Sequence, residues 1–219
     1  MKLVCITDLH GDVAALDGIL AHAGAVDVVL LGGDITNFGT PSAVEVLVKR
    51  AQKSCPTVMA VAGNCDSTAI DERLIELDVS LYGRGVMVGD FGFYGVSAMP
   101  PWNGHMYELT EKQITVALET GRQQLAQPCR EILLTHPPPR DTRLDVTRSG
   151  EHVGSSSVRE FIELTRPTLV VCGHIHESRG IEDFGRTRMV NCGAAYRGQY
   201  AMVDVTADVK VELRELPRE

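Results

Sequence analysis

A chain of 219 residues is long enough to bury a large core, and 44% hydrophobic with 23% charged residues is ordinary for a soluble globular protein. With 29 acidic against 21 basic side chains, a formal net charge of -8 and no cluster of Lys and Arg, it is not built to grip an extended nucleic-acid backbone. No apolar run approaches the ~20 residues of a membrane span, and Met1-Lys2 leads straight into a strand pattern without a secretory signal, so no membrane partner and a cytoplasmic setting are expected.

Cys5, Cys55, Cys65, Cys129, Cys172 and Cys192 have no paired spacing and lie mostly in apolar stretches, which suits reduced thiols better than a disulfide framework. The first strand, residues 2–7, ends in Asp8-Leu9-His10-Gly11-Asp12. Val13, Leu16, Ile19, Leu20 and Ala23 then fall at helical spacing, and Gly24 stops the helix. A second strand at 26–31 carries Gly32-Gly33-Asp34, and Thr40-Pro41 reads as the cap and first turn of another helix. A third strand at 57–62 ends in Gly63-Asn64-Cys65-Asp66 and is followed by a helix near 71–77. Three successive strand-then-helix units imply a parallel sheet with right-handed crossovers.

Residues 82–97 are rich in Gly and β-formers and suggest antiparallel strands turning at Gly89-Asp90. Thr110 and Gln113 resemble a capping box opening a helix that runs to about Gln127. A strand at 131–134 ends in Thr135-His136. Residues 137–154, with three prolines and little periodicity, read as a long surface loop. Ser155 or Ser156 caps a helix to about Thr165, and strand, turn, strand patterning follows from Gly180 to the end. No linker, repeat or low-complexity tract interrupts 1–219, so one domain is expected.

The stretch Leu169-Val170-Val171-Cys172-Gly173-His174-Ile175-His176 states the chemistry most openly: a buried strand, a glycine, then two imidazoles two positions apart, which an extended strand end would turn to one side. Asp8, His10, Asp34, Asn64, His136, His174 and His176 all lie at strand ends, where an open α/β sheet binds its ligands. Mixed imidazole and oxygen donors suit Mn, Fe, Zn, Ni or Co, and seven donors fit two divalent ions better than one. Asp34 is the natural bridge between the two. With Asp8 and Asp34 supplying two negative charges and a bridging hydroxide a third, the paired ions keep a positive charge that suits a phosphate anion. Ions ~3.5–4 Å apart clamp the attacking and leaving oxygens of an in-line displacement.

Asp8-Leu9-His10, Gly33-Asp34, Gly63-Asn64-Cys65-Asp66, His136 and Gly173-His174-Ile175-His176 resemble, in order, the five blocks of the calcineurin-like metallophosphoesterase superfamily. The resemblance runs from the first strand to near residue 195 and is narrowest toward small single-domain phosphoesterases. It implies two facing mixed β-sheets flanked by helices, a four-layer α/β/β/α sandwich with a dinuclear site at the strand ends. It also implies one ion held by Asp8, His10, Asp34 and His176 and a second by Asp34, Asn64, His136 and His174. Manganese is the first expectation for both. The implied activity is hydrolysis of a small phosphoester, possibly a nucleotide, by an activated hydroxide. Asp34 and Asn64 would position the reacting groups.

One position departs from the pattern. Many members carry His directly after the motif Asn, where this chain has Cys65, a poor substitute as proton donor. That favours a phosphodiesterase over a phosphomonoesterase or protein Ser/Thr phosphatase, with His105 as replacement proton donor and His152 behind it. A non-catalytic scaffold of the same fold is the reading outside enzymology. Cys65, Arg140 and Arg143 are candidate substrate contacts, with Arg148 beside them, although Asp141 and Asp145 could instead hold these arginines in surface ion pairs. Trp102 is read either as a stacking surface or as a loop anchor. Asp12 is expected to cap its helix, Asp66 to brace a neighbour, His22 to be solvated, and Cys5, Cys172 and Cys192 to fill the core.

Overall fold

A computed structural model describes residues 1–217. The one-domain expectation therefore extends over residues 218–219, which lie outside the described residues. The chain alternates β1 (Lys2–Ile6), α1 (Val13–Ala23), β2 (Val28–Gly32), α2 (Pro41–Ser54), β3 (Val58–Val61) and α3 (Thr68–Glu76). There follow β4 (Gly85–Val88), β5 (Phe91–Val96), α4 (Glu111–Gln123), β6 (Arg130–Thr135), α5 (Ser156–Thr165) and β7 (Leu169–Cys172). The chain continues through β8 (Gly180–Phe184), β9 (Thr187–Asn191), β10 (Gln199–Val205) and β11 (Val209–Glu215).

The strands form two mixed sheets, ordered β11-β10-β1-β2-β3 and β4-β5-β6-β7-β9-β8. β1, β2 and β3 are parallel, as are β5, β6, β7 and β9, while the outer pairs are antiparallel. Strand alternation distributes the side chains among three apolar layers. Val4, Ile6, Val29 and Leu31 face α1 and α2, whereas Leu3, Cys5, Val28 and Leu30 face the second sheet. Ile132 and Leu134 meet them from β6, and Leu133 and Val170 turn outward onto α4 and α5. The result, among the described residues, is the expected four-layer sandwich, with five α-helices outside and two sheets inside.

Local signals hold at most boundaries. Asp12 accepts a hydrogen bond from Ala15 N and caps α1, and Thr110 and Gln113 form a reciprocal capping box on α4. Three expectations need correction. α3 begins at Thr68, because Ser67 caps it through Ile70 N, a signal hidden by the preceding motif. α4 stops at Gln123, because the chain turns there to bury Leu125 against Gly92. Residues 137–154 are a surface loop only in part: Arg140, Asp141, Arg143 and residues 148–151 are exposed, but Pro137, Pro138, Pro139, Leu144 and Asp145 are buried. The loop closes around the Asp145 carboxylate, which accepts from Thr142 N, Gly154 N and His152 Nδ1 at 2.7–3.0 Å. A carboxylate offering four lone pairs to surrounding donors can organise a segment that has no hydrophobic periodicity.

His22 is exposed as expected, but its Nδ1 lies 3.0 Å from the Tyr200 hydroxyl. No helix among the described residues is long and apolar enough to cross a membrane. Leu134, fully buried between the sheets, tests the packing. Leu134→Ala is expected to cost about 2–5 kcal/mol in urea unfolding, since the parallel strands around it cannot collapse into the cavity.

Candidate metal centre

The donors meet where the carboxyl ends of β1, β2 and β3 face those of β6 and β7. The three loops on the first sheet are stitched to one another by their backbones. Asp8 N donates to Gly33 O, His10 N to Asp34 O and Gly11 N to Ile35 O at 2.8–3.0 Å. Asp66 is the brace expected of it, accepting from Ile35 N, Thr36 N, the Thr36 hydroxyl and Gly63 N. Cys65 N donates to Asp34 Oδ1 at 2.7 Å, which fixes the carboxylate.

Four of the seven donors pay for their position in backbone strain. Asp8 (φ 56°), His10 (φ 50°), Asp34 (φ 46°) and His174 (φ 68°) occupy the left-handed region that side-chain-bearing residues avoid. Each such residue costs roughly 1–2 kcal/mol, and clustering at one place marks a functional constraint rather than a folding need. Two glycines make room for the same cluster. At Gly33 (φ 87°) a Cβ would lie 2.2 Å from His136 Nδ1, and at Gly173 one would lie 2.3 Å from Asp8 Oδ2.

The two imidazoles of the Gly-His-Ile-His segment do not share one side of a strand. β7 ends at Cys172, His174 turns left-handed, and a 3-10 turn begins at His176. The rings therefore diverge. His174 packs on His136 with centroids 5.0 Å apart, while His176 Nε2 lies 3.0 Å from Asp8 Oδ1 and its ring 5.7 Å from that of His10. Ligating atoms of Asp8, His10 and His176 lie within 4.8 Å of one another, and so do those of Asp8, Asp34 and His136. His10 Nε2 and His136 Nε2 approach the two Asp34 oxygens at 3.7 and 3.5 Å, so Asp34 stands between two groups of donors.

His136 carries the clearest sign of a cation site. Its Nδ1 lies 3.0 Å from the Gly32 carbonyl, so that nitrogen bears the proton. Its Nε2 then turns a lone pair toward Asn64 Oδ1 at 2.8 Å and Asp34 Oδ1 at 3.5 Å. When the ring is neutral, three acceptors converge in this buried place, and a positive charge among them relieves their repulsion. A metal-ligating His that spends its second nitrogen on a backbone carbonyl is the usual arrangement. The residues thus fit divalent ions.

Electrostatics agree. Burial raises the Asp8 carboxyl, but the His176 hydrogen bond and the fields of three imidazoles take it below the usual carboxylate range. Burial and the neighbouring His136 lower His174 to about 3, leaving a neutral ring with a free lone pair. Cys65 joins His10 and Asp34 in a third group of possible donors, although no thiol ligand is needed by the seven. Burial and the Asp34 carboxylate push its thiol well above the ordinary range, and Asn64 Nδ2 donates to the sulfur at 3.3 Å.

The outlying candidates are less engaged. His105 is exposed on a loop whose Tyr107 N donates to Asn64 O at 3.1 Å. His152 is bound to Asp145. Trp102 is 73% exposed and does not anchor its loop, which Glu108 holds through Asn103 N and Gly104 N. Arg140, Arg143 and Arg148 are exposed. Among the described residues none pairs with Asp141 or Asp145, because Asp145 is committed to His152 and backbone N–H groups.

Sequence reasoning missed two supports. Asn191, at the end of β9, donates from Nδ2 to Ile175 O, Leu144 O and Gly173 O at 2.9–3.3 Å, and so holds the turn that aims His174 and His176. Only its place after a buried strand hinted at this. Asp71, on α3, accepts from Ser97 Oγ and Tyr107 Oη at 2.8 and 2.7 Å, and ties the 99–109 loop beside Asn64.

Asn191→Ala should lower stability by about 1–3 kcal/mol and metal affinity by about 10- to 100-fold, read by unfolding and by competition with a chelating dye. Burial raises Asp71 to about 6, above its unfolded value. The folded state therefore holds that proton more tightly. Wild type relative to Asp71→Asn should be most stable near pH 4 and lose about 3 kcal/mol as pH rises through 6, measured by denaturation across that range.

A profile described as the calcineurin-like phosphoesterase superfamily domain matches residues 1–208. An uncharacterized protein of Methanocaldococcus jannaschii is 34% identical over 198 residues, covering 87% of each chain. Human metallophosphoesterase domain-containing protein 1 is 26% identical, and the match spans 87% of this chain but only 65% of the human protein. Among solved structures, a dimetal phosphatase from Danio rerio superposes with a TM-score of 0.62 at 12% identity, covering 99% of this chain and 96% of that one.

Proposed function

The chain belongs to the calcineurin-like phosphoesterase superfamily, and within it we propose a phosphodiesterase that uses two divalent cations, Mn2+ foremost, on a small, possibly nucleotide, substrate. The observation that carries this reading is the His136 lone pair facing Asn64 and Asp34, an acceptor cluster that calls for positive charge. Asp8, His10, Asp34 and His176 would hold one ion, and Asp34, Asn64, His136 and His174 the other. When bound, the pair supplies Lewis acidity and a net positive charge at the phosphoryl group.

The chain's own residues do the rest. Asp34, held by Cys65 N, spans both groups of donors and sets their separation. His174 offers a neutral nitrogen, and Asn64 adds an oxygen without adding charge, so the centre remains attractive to an anionic ester. Cys65 occupies the place where an imidazole would protonate a departing alkoxide, and its buried thiol is a weak donor there. Esters with good leaving groups, and diesters, are therefore favoured.

Exposed aromatic side chains around the loops support an organic ester rather than a bare phosphate: Phe38, whose N donates to Cys65 O, Tyr196, and Trp102. His105 remains the proposed proton donor, carried by the loop tethered at Asn64, with Arg140 and Arg143 as outer contacts for the anion. Six free cysteines, five of them buried, fit a cytoplasmic setting.

Asp34→Asn should lose bound metal and hydrolysis together, measured by metal analysis alongside turnover. Mn2+-loaded wild type should cleave bis-p-nitrophenyl phosphate faster than p-nitrophenyl phosphate, and the reverse order would favour a monoesterase. His105→Ala should slow esters with alkoxide leaving groups by about 10²-fold while sparing nitrophenyl esters, and an equal effect on both would remove His105 from the mechanism.

A further inference from the structure

Tyr196 and Arg197 belong to none of the sequence motifs, yet Tyr196 stands against the donor cluster and Arg197 stands over Tyr196. Tyr196 N donates to Asp8 O at 3.2 Å, and its ring meets those of His10 and His176 edge-on, with centroids 5.3 and 5.6 Å away. The Arg197 guanidinium lies over the Tyr196 ring, 5.1 Å from its centroid. The 3-10 turn Ala195–Arg197 that carries both is fixed to β1 by Ala195 N donating to Thr7 O at 2.9 Å. The pair therefore keeps a set position relative to Asp8, His10 and His176.

The arginines packed nearest this turn are engaged: Arg179 donates to the Cys192 and Arg214 carbonyls, and Arg214 pairs with Glu212. Arg197 is exposed and, among the described residues, its guanidinium has no carboxylate partner and no hydrogen bond. An aromatic face can hold a guanidinium without consuming its five donors. A planar cation kept in place this way, beside a site for anions on a chain of net charge -8, is suited to phosphoryl oxygens.

We propose that Arg197, presented by the Tyr196 ring, binds the non-bridging phosphoryl oxygens of substrate and product at the open side of the donor cluster. The proposal rests on the phosphoesterase reading above. Arg197 contacts the anion in ground state and transition state alike, so it governs KM more than kcat.

The test measures binding of inorganic phosphate by calorimetry to Mn2+-loaded wild type, Arg197→Gln and Arg197→Lys, with metal content determined for each. Metal content should be the same in all three. Arg197→Gln should weaken phosphate about tenfold, and Arg197→Lys should fall between, since an ammonium keeps the charge but loses the fork. KM for the diester should rise in parallel while kcat changes little. If wild type carries metal and hydrolyses ester but Arg197→Gln binds phosphate as wild type does, the Arg197 proposal alone is overturned. If wild type takes up neither metal nor phosphate, both readings fall.

Discussion

The contact between the His136 ring and the Gly32 carbonyl holds the two halves of this molecule to one chemical purpose. His136 leaves the end of β6 in one sheet, and Gly32 closes β2 in the other. Their hydrogen bond fixes which imidazole nitrogen is protonated, and so which one looks toward Asn64 and Asp34. The contact forms only because Leu30, Leu134 and their neighbours pack the sheets face to face, and because Gly33 has no side chain to obstruct the ring. Burial of apolar strands thus sets the separation of the donors, and the donors themselves contribute little to holding the fold.

The strain at Asp8, His10, Asp34 and His174 follows from the same geometry. A strand that simply continued would alternate its side chains above and below the sheet, and the donors would point apart. Left-handed turns immediately after the strands swing them into one place instead. The cost is sustained by the cross-links between loops, chiefly Asp66 on one side and Asn191 on the other. Neither need touch an ion. Both keep the ligating atoms within reach of one another before any ion arrives, which reduces the ordering that binding must impose.

The order of elements and the convergence of polar residues after the strands were legible in the sequence because β1, β2, β3, β6 and β7 are short apolar runs, each followed within a few residues by Gly, Asp, Asn or His. The facing of two sheets came from resemblance, since alternation alone cannot say what covers each face. Less legible were features that depend on contacts distant in sequence. Nothing local in residues 137–154 reveals that Asp145 is buried and that its loop folds around it. The divergence of His174 and His176 is hidden in the sequence because no local signal marks the end of the strand at Cys172. Tyr196 and Arg197 had no metal-ligand chemistry to advertise them, and their place beside Asp8 arises from the anchoring of a short turn to β1.

If residues from the two sheets hold a pair of cations joined through Asp34, as proposed, titrating the metal-free protein with Mn2+ should show it in the electron paramagnetic resonance spectrum. An exchange-coupled signal from two ions should replace the isolated-ion signal as the second site fills. A spectrum of isolated Mn2+ at every loading, or no uptake at all, would contradict the proposal.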